Sequence, residues 1–204
     1  MHRQNILALA MVLLVSLAVL TAGYASGRGP LGVVSYAVTR LRNANAGKAT
    51  VVSENSAPTA SEFAFGDWIN SEPLTLKGLR GRVVVIEFWT FGCFNCRNTL
   101  PSIKELDARY RDKGLTIVGV HSPEFDDEKK IDNLRREVAE LGIHYPVVTD
   151  NDYATWRAYD VAAWPTTFVL DKSGRIRWTH IGEGAYEQMD QVIQKLLAED
   201  ARQP

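Results

Sequence analysis

Cysteine is scarce in this sequence: Cys93 and Cys96 are the only two among 204 residues. A framework of several disulfides is therefore excluded, and one bridge across so short a loop would constrain the unfolded chain very little. A structural zinc site would need a second CxxC, and His121, His144 and His180 do not stand at ligand spacing from one another. Covalent haem is excluded because Arg97, rather than a histidine, follows Cys96. Excess charge is missing too. With a formal net charge of −1 there is no broad basic face, so nucleic acid is not an expected partner. No internal repeat is visible.

What is present suits one globular domain with a sizeable core, since 46% of the residues are hydrophobic. The amino-terminal run Ile6–Ala22 carries no charge, and its 17 residues sit at the short end of a bilayer span. Small residues at Gly23 and Ala25 suit a signal cut before Ser26. Residues 1–25 are thus expected to be a membrane anchor or a signal peptide, and either carries the rest out of the cytoplasm. Residues 26–60, rich in Gly, Ala, Ser, Asn and Thr, read as a flexible tether. Residues 61–202 are expected to hold the folded domain.

Within that domain, strands and helices alternate. Pro73–Gly81 reads as a short strand and a turn. Arg82–Thr90 and Leu115–Ser122 are continuous apolar runs rich in β-branched residues, as in strands buried on both faces. Between them, Phe94–Lys113 has helical period, with Leu100, Ile103, Leu106 and Tyr110 on one side and a kink expected at Pro101. A second helix is expected from about Lys129 to Leu141, capped by Asp126 or Asp127. Tyr145–Asp150 should be a third strand, followed by a short helix. Pro165–Asp171 and Arg175–Ile181 should form a hairpin through Lys172-Ser173-Gly174. A last helix spans Tyr186 to Ala201. The order implies an α/β fold with a central mixed sheet flanked by helices.

A CxxC between a buried strand and a helix is a redox signal. It places Cys93 at the helix N-terminus, where backbone N–H groups and the helix dipole favour a thiolate, and Cys96 one turn behind. Cys93 can then attack a partner disulfide and Cys96 can resolve the mixed disulfide. Glu87 interrupts the apolar run Val83–Trp89. Buried and unpaired, it would hold its proton tightly and could exchange it with Cys96. At a strand edge it would instead face water or pair with a lysine, although Leu115–His121 offers none. Pro165 opens a strand, which costs a ladder hydrogen bond. His121 either fills a structural place or adjusts the dithiol's acidity, and the structural role is favoured.

These residues together resemble the thioredoxin superfamily: Glu87-Phe88-Trp89, then the CxxC, then Trp164-Pro165-Thr166-Thr167-Phe168. Over about Phe63–Leu197 the chain is similar to the membrane-tethered TlpA/ResA group, and within it to the exported domain of DipZ-type proteins. The resemblance implies that Cys93 is the nucleophile, Cys96 the resolving thiol and Glu87 the buried acid. It implies that Pro165 is a cis proline and that Trp164 presents its backbone to the substrate chain. Trp89 and Phe91 would frame the site or simply pack. The chain departs from the thioredoxin pattern in having Phe94-Asn95 between the cysteines and in lacking the lysine that often neighbours the acid.

The expected activity is that of an extracytoplasmic thiol–disulfide oxidoreductase needing no cofactor or metal. The resemblance implies reduction of disulfides in other proteins, apocytochrome c among them, with electrons from a CcdA- or DsbD-like membrane protein. An oxidant or isomerase would use the same residues. A copper-binding chaperone is the reading from another class, but neither Met1, Met11 nor Met189 lies near the cysteines. A peroxidase lacks a second active cysteine elsewhere in the chain.

Overall fold

A computed structural model describes residues 51–199. The expected anchor or signal at 1–25 and the first part of the expected tether lie outside the described residues. In chain order the elements are β1 (Trp68–Ile69), β2 (Val83–Trp89), α1 (Phe94–Tyr110), β3 (Leu115–His121), α2 (Ile131–Glu140), β4 (Val147–Thr149), α3 (Ala154–Ala158), β5 (Thr166–Leu170), β6 (Ile176–Ile181) and α4 (Tyr186–Ala198). One six-stranded sheet runs β1-β4-β3-β2-β5-β6. Strands β2, β3 and β4 are parallel, while β1, β5 and β6 pair antiparallel with their neighbours. The mixed sheet expected from the sequence is thus present. No helix among the described residues is long and apolar enough to cross a membrane.

The side-chain alternation of β2 sorts the core into two layers. Val83, Val85 and Trp89 pack with Leu100, Ile103 and Leu106 of α1, Leu134 and Val138 of α2, and Met189, Val192 and Ile193 of α4. Val84, Ile86 and Phe88 pack on the other face with Val118, Tyr159, Phe168 and the turns at Leu76 and Leu79. Glu87 falls in the first series, so its carboxyl points into the same layer as Cys96. At β3 that layer would be overfilled by any side chain on residue 119. A Cβ on Gly119 would lie 2.8 Å from Trp89 Nε1 and 3.3 Å from the Tyr145 ring.

Two local expectations change, and one strand is added. Residues 76–81 form the expected turn, but residues 73–75 form no strand. Gly78 N–H binds Thr75 Oγ1 and Leu79 N–H binds the Thr75 carbonyl, while Leu76 N–H reaches back to Glu62 Oε1. Neither Asp126 nor Asp127 caps α2, because both lie in a preceding 3₁₀ turn, Asp126–Lys129, where they pair with Lys129 and Lys130. The two-residue β1, unmarked by any period in the sequence, pairs with Val147 and Val148. Pro101 lies inside α1 without ending it.

The described part of the expected tether, residues 51–60, is laid along the outer edge of the sheet. Val52 N–H binds the Arg177 carbonyl, Ile176 N–H the Pro58 carbonyl, and Ala60 N–H the Gly174 carbonyl. The buried Arg177 guanidinium gathers this arm to the end of the chain. Its Nε reaches the Val52 carbonyl at 2.6 Å, and its Nη1 reaches Asp171 Oδ2 at 3.0 Å and Glu199 Oε2 at 2.9 Å.

Candidate active site

Strand β2 ends at Trp89 and α1 begins at Phe94, so a four-residue turn carries the first cysteine. Cys93 is the N-cap of α1, and its sulfur accepts the Cys96 N–H at 3.3 Å. That bond meets one of the donors every helix leaves unsatisfied at its start. The two thiols are unbridged, with Cys93 partly exposed and Cys96 wholly buried. An accessible sulfur with a buried one behind it is the arrangement expected of the nucleophile and the resolving thiol. Burial pushes the Cys96 thiol well up, and its hydrogen bond to Cys93 and the nearby Glu87 charge add to this, against a Thr90 backbone hydrogen bond that lowers it.

Glu87 is 0% exposed, between Gly119 of β3 and Thr167 of β5 in register. Its Oε2 accepts the Tyr145 hydroxyl at 3.3 Å, while Oε1 has no hydrogen-bond partner. Desolvation raises its pKa from 4.5 to about 8, and the Tyr145 bond only partly opposes the rise. The strand-edge alternative is therefore set aside: this is a dry carboxyl facing the layer that holds Cys96.

The Trp164–Pro165 bond is cis, as the resemblance implied. Pro165 directly precedes Thr166, the register partner of Phe88, so this turn and the Cys93 turn lie at the same end of the sheet. Trp164 donates its indole N–H to the Ser122 carbonyl at 3.0 Å and packs on Trp156 at 4.6 Å between ring centroids. Trp89 is core packing and does not frame the site, being fully buried. Phe91 stacks on His121 at 5.4 Å. His121 is buried between Phe91 and Trp89, with Nε2 3.2 Å from Thr90 Oγ1. Burial lowers its pKa from 6.5 to about 4, so it is neutral at neutral pH.

Sequence reasoning missed Tyr145 and Glu128. Tyr145 read only as the start of a strand, and its link to Glu87 crosses 58 residues. Glu128 read only as part of an acidic loop, yet it is 3% exposed and its carboxylate binds the backbone of Gly92, Glu124 and Phe125.

A model of the AhpC/TSA family matches residues 56–179. The chain is 37% identical over 169 residues to Protein DipZ of Mycobacterium tuberculosis, covering 81% of this chain and 24% of that protein. It therefore spans about a quarter of the length of that relative. The thiol-disulfide oxidoreductase ResA of Bacillus thuringiensis is 30% identical over 137 residues, or 67% of this chain and 76% of that one. Among solved structures, a thiol-disulfide isomerase from Corynebacterium glutamicum superposes with a TM-score of 0.66 at 27% identity, covering 72% of this chain and 99% of that one.

Proposed function

The chain belongs to the AhpC/TSA family, with a thioredoxin-like fold, and from that premise we propose that it is a thiol–disulfide oxidoreductase that reduces disulfides in other proteins. One observation carries the reading: a partly exposed Cys93 sulfur at a helix N-terminus, backed by a buried Cys96 and a buried carboxyl that holds its proton to about pH 8.

The cycle balances on these groups. The Cys93 thiolate attacks one sulfur of the partner disulfide, whose S–S bond breaks as the mixed disulfide forms. The departing partner thiolate takes a proton from water. Cys96 then attacks the Cys93 sulfur, breaks the mixed bond and releases the second partner thiolate. Two electrons have passed to the partner, and the Cys93–Cys96 disulfide remains. Glu87, in its ionised form, is the acceptor for the Cys96 proton, since a thiol so deeply buried needs a nearby base. In the reverse half-cycle it returns that proton. Trp164 and Pro165 form the backbone ledge on which the partner chain is held.

Residues 1–25 hold or deliver the protein to the outer side of the cytoplasmic membrane. Electrons come from a CcdA- or DsbD-like membrane protein, and apocytochrome c is among the substrates. The uncharged run Ile6–Ala22 supports the placing, and the resemblance to the TlpA/ResA group is what suggests the donor and the substrate.

The reduction potential of the full chain, equilibrated in glutathione or dithiothreitol buffers, tests the direction. A value near or below thioredoxin's roughly −270 mV supports a reductant, whereas one near DsbA's roughly −120 mV makes it an oxidant. Cu(I) titration of the reduced chain tests the class: tight stoichiometric binding without disulfide exchange would replace this reading with a copper-binding one.

A further inference from the structure

The Cys93 turn hangs from a side chain that belongs to neither the dithiol nor the cis-proline turn. Glu128 Oε1 accepts the Gly92 N–H at 3.0 Å, and Oε2 accepts the Phe125 N–H at 3.1 Å together with the Glu124 N–H. Two loops 36 residues apart are thereby joined through one buried group. On the other side of the turn, Cys93 N–H binds the Thr90 carbonyl at 3.3 Å. The anchor shapes the sequence beside the nucleophile. A Cβ on Gly92 would sit 2.2 Å from Glu128 Oε1, and the Gly92 backbone lies outside the left-handed region, so a side chain there must push the Glu128 carboxylate aside. Beside the joined loops, Phe94 at the start of α1 and Phe125 are exposed, 74% and 61% accessible.

We propose that Glu128 is a positioning residue for the nucleophile, its carboxylate fixing the Gly92–Cys93 turn against the Phe125 loop so that Cys93 meets a partner disulfide in a set orientation. The proposal rests on Cys93 being the attacking sulfur. Both carboxylate oxygens are needed, because all three partners are N–H donors. A glutamine of the same shape offers one oxygen and one NH₂, and the NH₂ opposes whichever loop it faces.

The test uses the reduced full chain: its second-order rate with Ellman's reagent, and kcat and KM for insulin reduction. Glu128→Gln and Gly92→Ala should each slow attack by about tenfold, since small misplacements of a reacting group are costly. Gly92→Ala keeps the carboxylate but displaces it, so a parent rate there would leave only a charge effect and overturn the proposal. The double variant should be no slower than the slower single one, because both changes break the same anchor, and losses that multiply would also overturn it. If Glu128→Gln does not fold, Gly92→Ala decides alone: a rate within about twofold of the parent, less than the coupling expected for one shared contact, rejects the anchor. Parent-like variants beside an inert Cys93→Ser chain reject the anchor only. A Cys93→Ser chain that keeps the parent rate rejects the nucleophile assignment and the anchor with it.

Discussion

Two buried glutamates flank the dithiol, and they are supplied with donors in opposite ways. Glu87 has one, the Tyr145 hydroxyl, and an Oε1 with none. Glu128, almost as deeply buried, receives backbone N–H groups from Gly92, Glu124 and Phe125. Burial is therefore not what distinguishes them. A carboxyl short of donors in a dry layer keeps its proton and can trade it, whereas one saturated by backbone donors acts as a strut. The first lies behind the sulfurs in the middle of a strand, and the second lies beside them in a loop.

The contrast can be broken most severely at the two sulfurs beside these groups. Cys93→Ser should abolish disulfide exchange, and Cys96→Ser should trap partners as mixed disulfides on Cys93, visible on non-reducing gels. Trapping by Cys93→Ser instead of Cys96→Ser would reverse the two roles. Next in size, Glu87→Gln should slow resolution of the mixed disulfide at neutral pH by about 10²-fold, the lower range for a lost general base. In the parent, only ionised Glu87 accepts the Cys96 proton, so the single-turnover rate should climb as pH rises toward about 8 and then level. The glutamine variant should lack that inflection, and profiles that overlay would make Glu87 structural.

Tyr145→Phe sharpens the contrast by starving Glu87 completely. Its bond favours the charged carboxylate, so without it the inflection should move up by about one pH unit, the worth of one hydrogen bond to a charge. The last effect is on stability. Between pH 4.5 and about 8 the folded chain keeps a Glu87 proton that the unfolded chain has released. Stability from this group is therefore lost as pH rises, by about 1.4 kcal/mol per unit. His121 works the other way: between pH 6.5 and about 4 the unfolded chain binds a proton that the buried ring refuses. The two slopes cancel from pH 4.5 to 6.5 and leave Glu87 alone above it. Urea midpoints should fall from pH 6.5 to 8 in the parent, and less steeply in Glu87→Gln.

The readable parts of this chain were those whose cause is local. Strands β2 and β3 are apolar runs rich in β-branched residues, and the β5–β6 hairpin carries its turn in Lys172-Ser173-Gly174. Glu87 was legible because a charge inside an apolar run has few explanations. Strand β1 is too short to show a period, and the turns at 76–81 depend on the distant Glu62 carboxylate as well as on Thr75. Glu128 and Tyr145 were invisible for a different reason. Each is defined by a partner that only the folded sheet brings near, and the acidic loop offered Asp126 and Asp127 as more ordinary caps. Composition also misjudged residues 51–60, whose polar, small side chains say nothing of backbone groups used in pairing.

That arm decides where the chain can safely be cut. Truncation at residue 61, where composition changes, would strip the cover from the outer edge of β6 and take away the Val52 carbonyl that Arg177 holds. A bare strand edge is a template for a second copy of itself. The shortened protein would keep its dithiol, its buried acid and its proline turn, and its first fault would be self-association rather than lost chemistry.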